Sequence, residues 1–569
     1  MDNNVEKFFA GKLFRVPNYQ RDYAWDTDNV DDLFEDILES IETQTNHYIG
    51  TFILAAGAGE SQFNVVDGQQ RLTTLIMLFN AVIERLDKPT DRIIYLDKFV
   101  RSQTDSAVPW KLELLNDNNP FFHAMLEGQN PQPLTRSQQL LKTAYDQMQL
   151  RLKELPVDQR SFLDAISHLE VMEFTENNDG KAIRMFQTVN DRGKPLTNME
   201  KAKSLLIYYS NRFLDGELDE FVNDHFGQIF HDYTQIKTIG EDCQIEVISS
   251  KRFSEDSVMR YHYLAYAEDL RDRDAPESYV LDTYLKKSLK PLRTSPARLR
   301  RFIQDYVTDL RDYFDSFARL VARVKTDPKY YKLFSLLGIS ATLYPLTIRL
   351  ETRDLLERPL KRDKSRSLID LIEVTDFRVY KVRGTNPRAD MMWLAKEAKR
   401  RSPAEIEKTL VWFTHKFMGD DEFERYLKSS YHRTPTAHLM IEYAEELNKR
   451  PYTLDELQER KATQPTVEHI FPERERFNFP NLGFGDVDQY KHLIQTIGNL
   501  TVLERSLNSK CQNRTPDQKI SDGYYELSLF EDARRISFQV KNRGTAFTRE
   551  DVQKRTKLLT DFCIQRWNV

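Results

Sequence analysis

Apolar residues recur at three- and four-residue steps along most of this chain, and this periodicity constrains the fold more than any other feature. Two clear stripes consist of Leu33, Ile37, Leu38 and Ile41, and of Leu140, Leu141, Ala144, Met148 and Leu152. Such steps place side chains on one face of an α-helix. Only 19 of the 569 residues are Gly. The sequence therefore predicts an α+β protein that is mostly helical.

Two short β-like runs lie near the start of the chain, at residues 48–55 and 63–66. The second run leads into Asp67 and Gly68, a turn signal, and then into an apolar helix predicted over residues 72–86. This pattern predicts a strand–loop–helix unit with a polar loop, a frequent place for ligand binding.

The length of 569 residues predicts about three domains. We place them at residues 1–250, 251–400 and 401–569, the second being a helical linker domain. Residues 450–465 are interpreted as a connector into the last domain. The sequence contains no internal repeat and no low-complexity tract.

The chain has three cysteines and no CxxC pair, which argues against a disulfide framework or a cysteine zinc site and favours a reducing compartment. The longest apolar stretch, residues 75–83, is far shorter than the about 20 residues that a membrane-spanning helix needs. The N-terminus is acidic and polar, unlike a signal peptide. We therefore expect a cytoplasmic protein without a membrane segment.

The net charge of −6 conceals a gradient along the chain. Residues 1–250 carry 24 basic and 40 acidic side chains, a net charge of −16. Residues 251–460 are net +7 and residues 461–569 are net +3. The acidity is thus confined to the N-terminal part. A solvated surface of mixed sign also accounts for this pattern.

Two basic clusters, at residues 286–301 and 358–366, are candidates for phosphate contact. The residues that we single out are Lys286, Lys287, Arg300, Arg301, Lys361 and Arg362. Runs of this kind are usually solvated helix faces, and that alternative stays open.

The most informative segment lies near the C-terminus, where residues 467–472 read VEHIFP and residues 497–503 read IGNLTVL, followed by Asn508. The carboxylate of Glu468 beside the imidazole of His469 suits a hard divalent metal together with a general base. Asn508 adds a neutral oxygen ligand. On a regular strand Glu468 and His469 point to opposite sides, and an ordinary surface pair is the alternative interpretation.

With this spacing the segment resembles the HNH nucleases of the ββα-metal fold, and most closely the DUF1524 HNH domain of GmrSD-type modification-dependent restriction enzymes. The resemblance implies that His469 is the general base for phosphodiester hydrolysis. It implies that Glu468 and Asn508 hold a Mg²⁺ or Mn²⁺ ion, and that Asn499 braces the motif. Lys510 and Arg514 are candidates for phosphate contact, with a helix-surface role as the equal alternative.

Three polar clusters mark the N-terminal part. Residues 14–25 read FRVPNYQRDYAW, residues 65–75 read VVDGQQRLTTL, and residues 186–197 read FQTVNDRGKPLT. Aromatic side chains with Arg and Gln can stack on a base and pair with phosphate. Gly68 permits close backbone approach at a helix N-terminus. A buried aromatic corner and a helix-capping turn are the alternatives. No GxxxxGK[ST] loop is present.

In this order the three clusters resemble the DUF262 family, a ParB/sulfiredoxin-like module, over about residues 5–250. The resemblance implies binding and hydrolysis of a nucleoside triphosphate and, in several members, sensing of modified DNA. The residues that it assigns to the nucleotide pocket are Tyr19, Gln20, Arg21, Asp67, Gly68, Gln69, Gln70, Arg71, Asn190 and Arg192. The third motif departs from many relatives, which carry Glu at the position of Gln187.

These resemblances together predict an NTP-regulated, modification-dependent DNA endonuclease of the type IV restriction class. The expected substrate is modified phage DNA, and the expected assembly is a homodimer. Two alternatives stay open: an NTP-dependent sensor of modified DNA with a residual nuclease domain, and a nuclease toxin that acts on RNA.

Overall fold

The computed structural model of the protein describes residues 4–569 except residues 18–19, 21, 46, 58, 60, 102–109, 116, 177–196, 268–275, 430–434 and 475–477. About 65% of it is helical, with a small mixed sheet. The predicted mostly helical α+β class is therefore confirmed, whereas the ParB-like and HNH folds stay predictions.

The chain forms two compact units. One comprises Met1–Thr238 and Pro276–Phe314, and the other comprises Ile239–Ala275 and Asp315–Val569. Each unit thus uses two separate stretches of sequence. The three-domain division stays a prediction. The segment that we interpreted as a connector contains a helix, Leu454–Ala462.

The first part of the chain alternates short strands with helices. Its strands are β1 Leu13–Arg15, β2 Tyr48–Ala56, β3 Gln62–Asp67, β4 Leu112–Glu113 and β5 Glu170–Glu176. Its helices are α1 Val5–Phe9, α2 Thr27–Thr43, α3 Gln69–Ile83, α4 Pro89–Phe99, α5 Asn118–Leu126, α6 Arg136–Arg151, α7 Gln159–His168, α8 Asn198–Phe213 and α9 Asp219–Asp242.

The five strands form one sheet in the order β4–β1–β3–β2–β5. β2 and β3 are antiparallel, whereas the other three pairings are parallel. The predicted strands at residues 48–55 and 63–66 correspond to β2 and β3. The helix predicted over residues 72–86 corresponds to α3, which begins three residues earlier, at Gln69, and ends at Ile83.

Helix α3 is the core of this unit, since nearly every one of its residues is buried. From Leu75 to Ile83 nearly all of its residues are apolar, as expected for a helix inside a domain. Both apolar stripes face the same core: α2 buries Leu33 and Ile37, and α6 buries Leu141, Ala144 and Met148. The spacing therefore predicted which faces are buried.

The remaining helices follow in chain order. They are α10 Glu246–Ser249, α11 Glu255–Tyr266, α12 Lys286–Leu289, α13 Pro296–Val324, α14 Pro328–Tyr331, α15 Tyr344–Thr352, α16 Leu368–Thr375, α17 Arg388–Glu397, α18 Pro403–Phe417, α19 Asp420–Ser429, α20 Thr436–Asn448, α21 Leu454–Ala462, α22 Val487–Leu493, α23 Arg505–Cys511, α24 Pro516–Ser521, α25 Glu531–Arg543 and α26 Arg549–Arg566. Three π-helical stretches, Val280–Leu285, Lys332–Leu337 and Asp376–Val382, extend neighbouring helices. Within the described ranges, no helix is both long and apolar enough to cross a membrane.

The second unit contains a two-stranded antiparallel sheet. Its strands are β6 Thr466–His469 and β7 Leu500–Leu503, and β7 is followed by the short helix α23. Gly498, directly before β7, packs so closely on α26 that an added Cβ would meet the backbone of Val552. The hairpin and α23 carry the residues of the C-terminal motif.

Candidate functional site

His469 is the last residue of β6 and pairs with Leu500 at the start of β7. Its side chain is 17% exposed, whereas the side chain of Glu468 is 5% exposed. Successive side chains on a strand point to opposite faces, so the carboxylate is turned inward while the imidazole keeps some access to solvent. The imidazole Nε2 lies 3.8 Å from a carboxylate oxygen of Glu473.

A buried lysine holds the end of β6. The side chain of Lys519, on α24, is fully buried, and its ammonium lies 2.6 Å from Glu468 Oε1. The same ammonium donates to the carbonyl oxygens of His469 at 2.6 Å and Ile470 at 3.2 Å. Tyr525 Oη donates to Glu468 Oε1 at 3.1 Å. Lys519 thus fixes the backbone that carries the candidate general base.

The environment of Glu468 acts in two directions on its ionisation. Burial raises the pKa of this carboxyl, while the Lys519 ammonium and the Tyr525 hydroxyl lower it. Because a cation already sits on the carboxylate, this arrangement does not fit a divalent ion bound through Glu468. The predicted metal role of Glu468 is untested, and the contacts give its carboxylate other partners.

Asn499 ties the start of β7 to the chain beyond His469. Its Oδ1 accepts from the backbone N–H of Phe471 at 2.8 Å. Its Nδ2 donates to the carbonyl oxygens of Phe471 at 3.0 Å and Ile494 at 3.1 Å. The polar atoms of the Asn499 side chain all bond to backbone groups, and these bonds stabilise the turn that follows His469.

Asn508 connects helix α23 to the other end of β6. Its Nδ2 donates to Thr466 Oγ1 at 2.8 Å and to the Val467 carbonyl at 2.9 Å. Of the two phosphate-contact candidates, Lys510 is exposed on α23, and Arg514 forms an ion pair with Asp522 at 2.7 Å. Their contact with DNA stays a prediction.

β7 is held by a second buried charge pair that the sequence did not predict. Arg555 lies 2.5 Å from a carboxylate oxygen of Asp532 and donates to the Leu500 carbonyl at 2.8 Å. Asp532 also accepts from Thr501 Oγ1 at 2.6 Å. No local pattern marks Lys519, Asp532 or Arg555, because each acts on a strand far away in sequence. The one sequence signal that could have indicated these residues is a charged side chain within a stretch predicted to be buried.

One cluster in the described part of the chain has possible metal ligands close together. The ligand atoms of Glu373, His438 and Glu442, all buried, lie within 4.8 Å of one another. Arg566 donates to both oxygens of Glu373 at 3.0 Å and to Glu442 at 2.7 Å. Lys332 lies 2.6 Å from Glu442. Two cations therefore already balance the two carboxylates, and the cluster is a structural charge network.

In the N-terminal unit, the DGQQR motif spans the junction of β3 and α3. Gly68 precedes the first turn of α3 with φ of +90°, and an added Cβ would meet the ring of Phe52. Burial raises the pKa of Asp67, the last residue of β3, while the nearby Arg71 lowers it. The motif thus places a largely buried carboxyl at the N-terminus of a buried helix.

Most of the motif's other polar side chains bond to backbone. Gln20 donates to the Val66 carbonyl at 2.7 Å. Gln70 accepts from the Ala24 N–H at 2.8 Å and donates to the Asp22 carbonyl at 3.1 Å. Arg71 donates to the carbonyls of Ile49 at 3.2 Å and Thr51 at 3.1 Å. The bonds of Gln20 and Gln70 tie the first motif to the second, whereas those of Arg71 tie the second motif to β2. Gln69 is buried beside them.

The described motif residues border two open cavities. Gln20 and Asp22 line one of about 480 Å³, together with Asp224 and His231 of α9. Arg71 lines another of about 210 Å³ on the α2 side. Tyr19, Arg21, Asn190 and Arg192 lie outside the described residues. A single nucleotide pocket therefore stays a prediction.

The basic candidates are exposed, and several form ion pairs. Lys286 pairs with Asp282 at 2.8 Å, Arg300 with Glu217, and Arg301 with Asp305 at 3.6 Å. Lys287, Lys361 and Arg362 are exposed as well. Such pairs leave cationic side chains within reach of solvent.

Two family models match the chain. The model for the N-terminal domain of GmrSD restriction endonucleases matches residues 5–207, and the model for their C-terminal domain matches residues 417–562. Together the two segments cover more than half of the chain. The protein therefore belongs to the GmrSD restriction endonuclease family.

A protein of Methanocaldococcus jannaschii, described as uncharacterized, is 28% identical over 165 residues. The match covers 23% of this chain and 27% of that protein. The chain thus spans about a quarter of the length of the curated relative that it matches.

Proposed function

We propose that the chain is an NTP-regulated, modification-dependent DNA endonuclease that acts in defence against phage. The observation that carries the proposal is the setting of His469 within the segment matched by the GmrSD C-terminal model. Its imidazole stands partly exposed at a strand end, and bonds from Lys519 and Asn499 fix the backbone from His469 to Phe471.

The proposed chemistry begins with His469 as general base. An ordinary imidazole titrates close to neutral pH and can accept a proton from the attacking water. Lys519 and Asn499 position the backbone that carries the imidazole. A divalent metal would supply charge neutralisation at a scissile phosphate, but Glu468 would have to release Lys519 first. No step is therefore assigned to a metal.

The N-terminal unit is proposed to bind the nucleoside triphosphate and to respond to the modification state of the DNA. Among the described residues, this role falls to three members of the DGQQR motif at the start of α3: Asp67, Gly68 and Arg71. The support is the family match over residues 5–207 together with the two polar cavities beside the motif.

The test compares His469→Ala with the wild-type protein on plasmid DNA, with Mg²⁺ or Mn²⁺ and each NTP in turn. We expect cleavage to fall by about 10²- to 10⁴-fold, the usual contribution of a general base, while NTP hydrolysis is retained. The exposed His492 provides a matched control, and His492→Ala should cleave normally. Full-rate cleavage by His469→Ala would show that the nuclease assignment is wrong.

The Glu468–Lys519 ion pair favours one other function, a sensor of modified DNA with a residual nuclease domain. In that case the wild-type protein would bind modified DNA in an NTP-dependent manner and cleave neither modified nor unmodified phage DNA. RNA offered as competitor in the same assay distinguishes a nuclease toxin that acts on RNA. Light scattering tests the expected homodimer.

A further inference from the structure

Two exposed tryptophans lie on one helical hairpin of the second unit. Trp393, on α17, is 37% exposed, and Trp412, on α18, is 52% exposed. An indole ring is among the largest apolar groups that a side chain can bury, so exposing two of them loses a substantial stabilisation. Clustered exposed apolar side chains usually mark a binding surface.

Polar contacts place both tryptophans on one surface. The Arg401 guanidinium lies 4.6 Å from the centre of the Trp393 ring and donates to Thr409 Oγ1 at 3.4 Å. Thr409 and Trp412 are three residues apart and so share a face of α18. We define the α17–α18 surface by Trp393, Arg401, Thr409, Trp412 and Lys416.

Lys416 closes the other end of this surface. Its ammonium lies 4.8 Å from the centre of the Trp412 ring and 2.5 Å from a carboxylate oxygen of Asp390 on α17. Each exposed indole therefore has a cation over its face, an arrangement stabilised by cation–π attraction. Arg401 pairs with Glu397 at 3.7 Å and Lys416 pairs with Asp390, but both side chains stay partly exposed, at 29% and 42%, so a phosphate can still reach them.

The hairpin is basic in a chain that is acidic overall. Residues 388–417 carry seven Lys and Arg against four Asp and Glu, whereas the whole chain has a net charge of −6. Glu407, one of these acids, is buried and accepts the backbone N–H groups of Lys361 at 2.7 Å and Arg362 at 3.2 Å. It thereby docks the basic 361–364 loop beside the exposed Lys408.

The connector between the two helices is fixed. Arg353 donates to the carbonyl oxygens of Ala398 at 2.6 Å and Arg401 at 2.7 Å. The first bond satisfies the carbonyl at the C-terminal end of α17, which has no partner within the helix, and the second holds the connector at Arg401. The tryptophans and cations are thus displayed on a preformed support, which reduces the ordering cost of binding.

We propose that the α17–α18 surface, with the 361–364 loop, binds a DNA strand whose bases are exposed. Cations that follow the phosphates and aromatic faces that stack on bases are the combination that single-stranded nucleic acid requires. An acidic protein segment bound at this surface would contact the cations but would leave the two indole rings without stacking partners. The proposal rests on the proposed function, because it takes the cleaved DNA as the ligand.

The test measures binding of a fluorescent single-stranded 30-mer and its duplex by anisotropy, with the full-length chain. We expect Trp412→Ala to weaken single-strand binding by about 5- to 100-fold, the range found for loss of one stacked base, and to weaken duplex binding much less. Phe538→Ala, which removes another exposed aromatic ring of this unit, is the matched control and should bind normally.

The charge arm uses Lys408→Glu against the control Lys557→Glu, both at exposed positions. We expect Lys408→Glu to weaken binding and to flatten its dependence on salt, because fewer counterions are released. If Trp412→Ala and Lys408→Glu both bind single strands as the wild type does, the proposal is wrong. A loss of self-association with unchanged DNA binding would assign the surface to a second copy and overturn it too.

Failure of this proposal is distinguishable from failure of the proposed function. If Trp412→Ala binds DNA normally while His469→Ala has lost cleavage, only the surface is wrong. If the wild-type protein cleaves nothing but Trp412→Ala loses single-strand binding, the surface stands and the endonuclease assignment is wrong.

Discussion

The two motif regions of this protein anchor their loops by different physical means. Around α3, Gln20, Gln70 and Arg71 bond to backbone carbonyls and N–H groups. Around β6, the anchor is a buried ion pair between Glu468 and Lys519. The first region relies on hydrogen bonds to backbone, whereas the second adds two buried charge pairs, Glu468–Lys519 and Asp532–Arg555, to the hydrogen bonds of Asn499.

This difference predicts different sensitivity to substitution. A net intramolecular hydrogen bond contributes about 1 kcal/mol, and an unsatisfied buried partner costs about 1–3 kcal/mol. Removing one member of a buried ion pair costs about 3–5 kcal/mol, because the other charge stays buried without its partner. The β6–β7 hairpin should therefore be the more fragile of the two regions.

The largest effect is expected for Lys519→Met. The substitution leaves Glu468 buried without its cation and frees the carbonyls of His469 and Ile470. Urea unfolding should show a loss of about 3–5 kcal/mol for the second unit, and plasmid cleavage should fall with it. Lys557→Met, at an exposed position, should change neither.

A double variant sharpens this prediction. Adding Glu468→Gln to Lys519→Met removes the orphaned charge, so much of the lost stability should return. If the double variant is no more stable than Lys519→Met, the ion pair is not the source of the loss. Recovery of stability without recovery of cleavage would show that the carbonyl bonds from Lys519 matter for activity.

The next effect is expected for Asn499→Ala, which removes three hydrogen bonds to buried backbone. We expect a loss of about 2–3 kcal/mol in the free energy of unfolding. Asn508→Ala is the matched control, since its two bonds lie in exposed surroundings and should cost less than about 1 kcal/mol. Equal losses for the two variants would contradict the structure.

A smaller effect is expected in the N-terminal unit for Gln70→Leu. This variant loses the bonds to Ala24 and Asp22 and should cost about 1–2 kcal/mol in urea unfolding. NTP binding should weaken because the first motif, in the described part of the chain, keeps only the hydrogen bond between Tyr23 and Thr74 to hold it on α3. Gln139→Leu, at an exposed helix position, should be close to neutral. If Gln70→Leu lost as much unfolding free energy as Lys519→Met, the predicted difference in sensitivity between the two regions would be wrong.

The smallest effect is a pH dependence at Asp67. Burial raises the pKa of this carboxyl in the folded state, so its contribution to stability is full below the ordinary Asp pKa of 3.8 and is lost as the pH rises through the folded-state value. Asp67→Asn should therefore raise the thermal midpoint at neutral pH. The gain should vanish at acidic pH, as followed by circular dichroism.

Much of the N-terminal fold could be predicted from sequence because its signals are local. Alternation and periodicity marked β2, β3 and α3, and the stripes at Leu33 and Leu141 marked the buried faces of α2 and α6. Each of these inferences depends on neighbours within a few turns of the chain. His469 was singled out differently, through the resemblance of residues 467–508 to the HNH nucleases.

Other features depend on contacts distant in sequence, and the sequence did not reveal them. Lys519 meets Glu468 from a later helix, and Arg555 reaches the carbonyl of Leu500 from the last one. The division into two units, each built from two stretches, likewise depends on packing rather than on composition.

The sequence by itself determined the helical class through its periodicity, and the resemblance of its motifs to known families pointed to the family and to His469 as the candidate base. Only the tertiary structure decided which polar side chains are committed to holding the backbone and which remain accessible. The physical reason is burial: a polar or charged group that leaves water must find a partner wherever the fold provides one. For Glu468, that partner is the ammonium of Lys519.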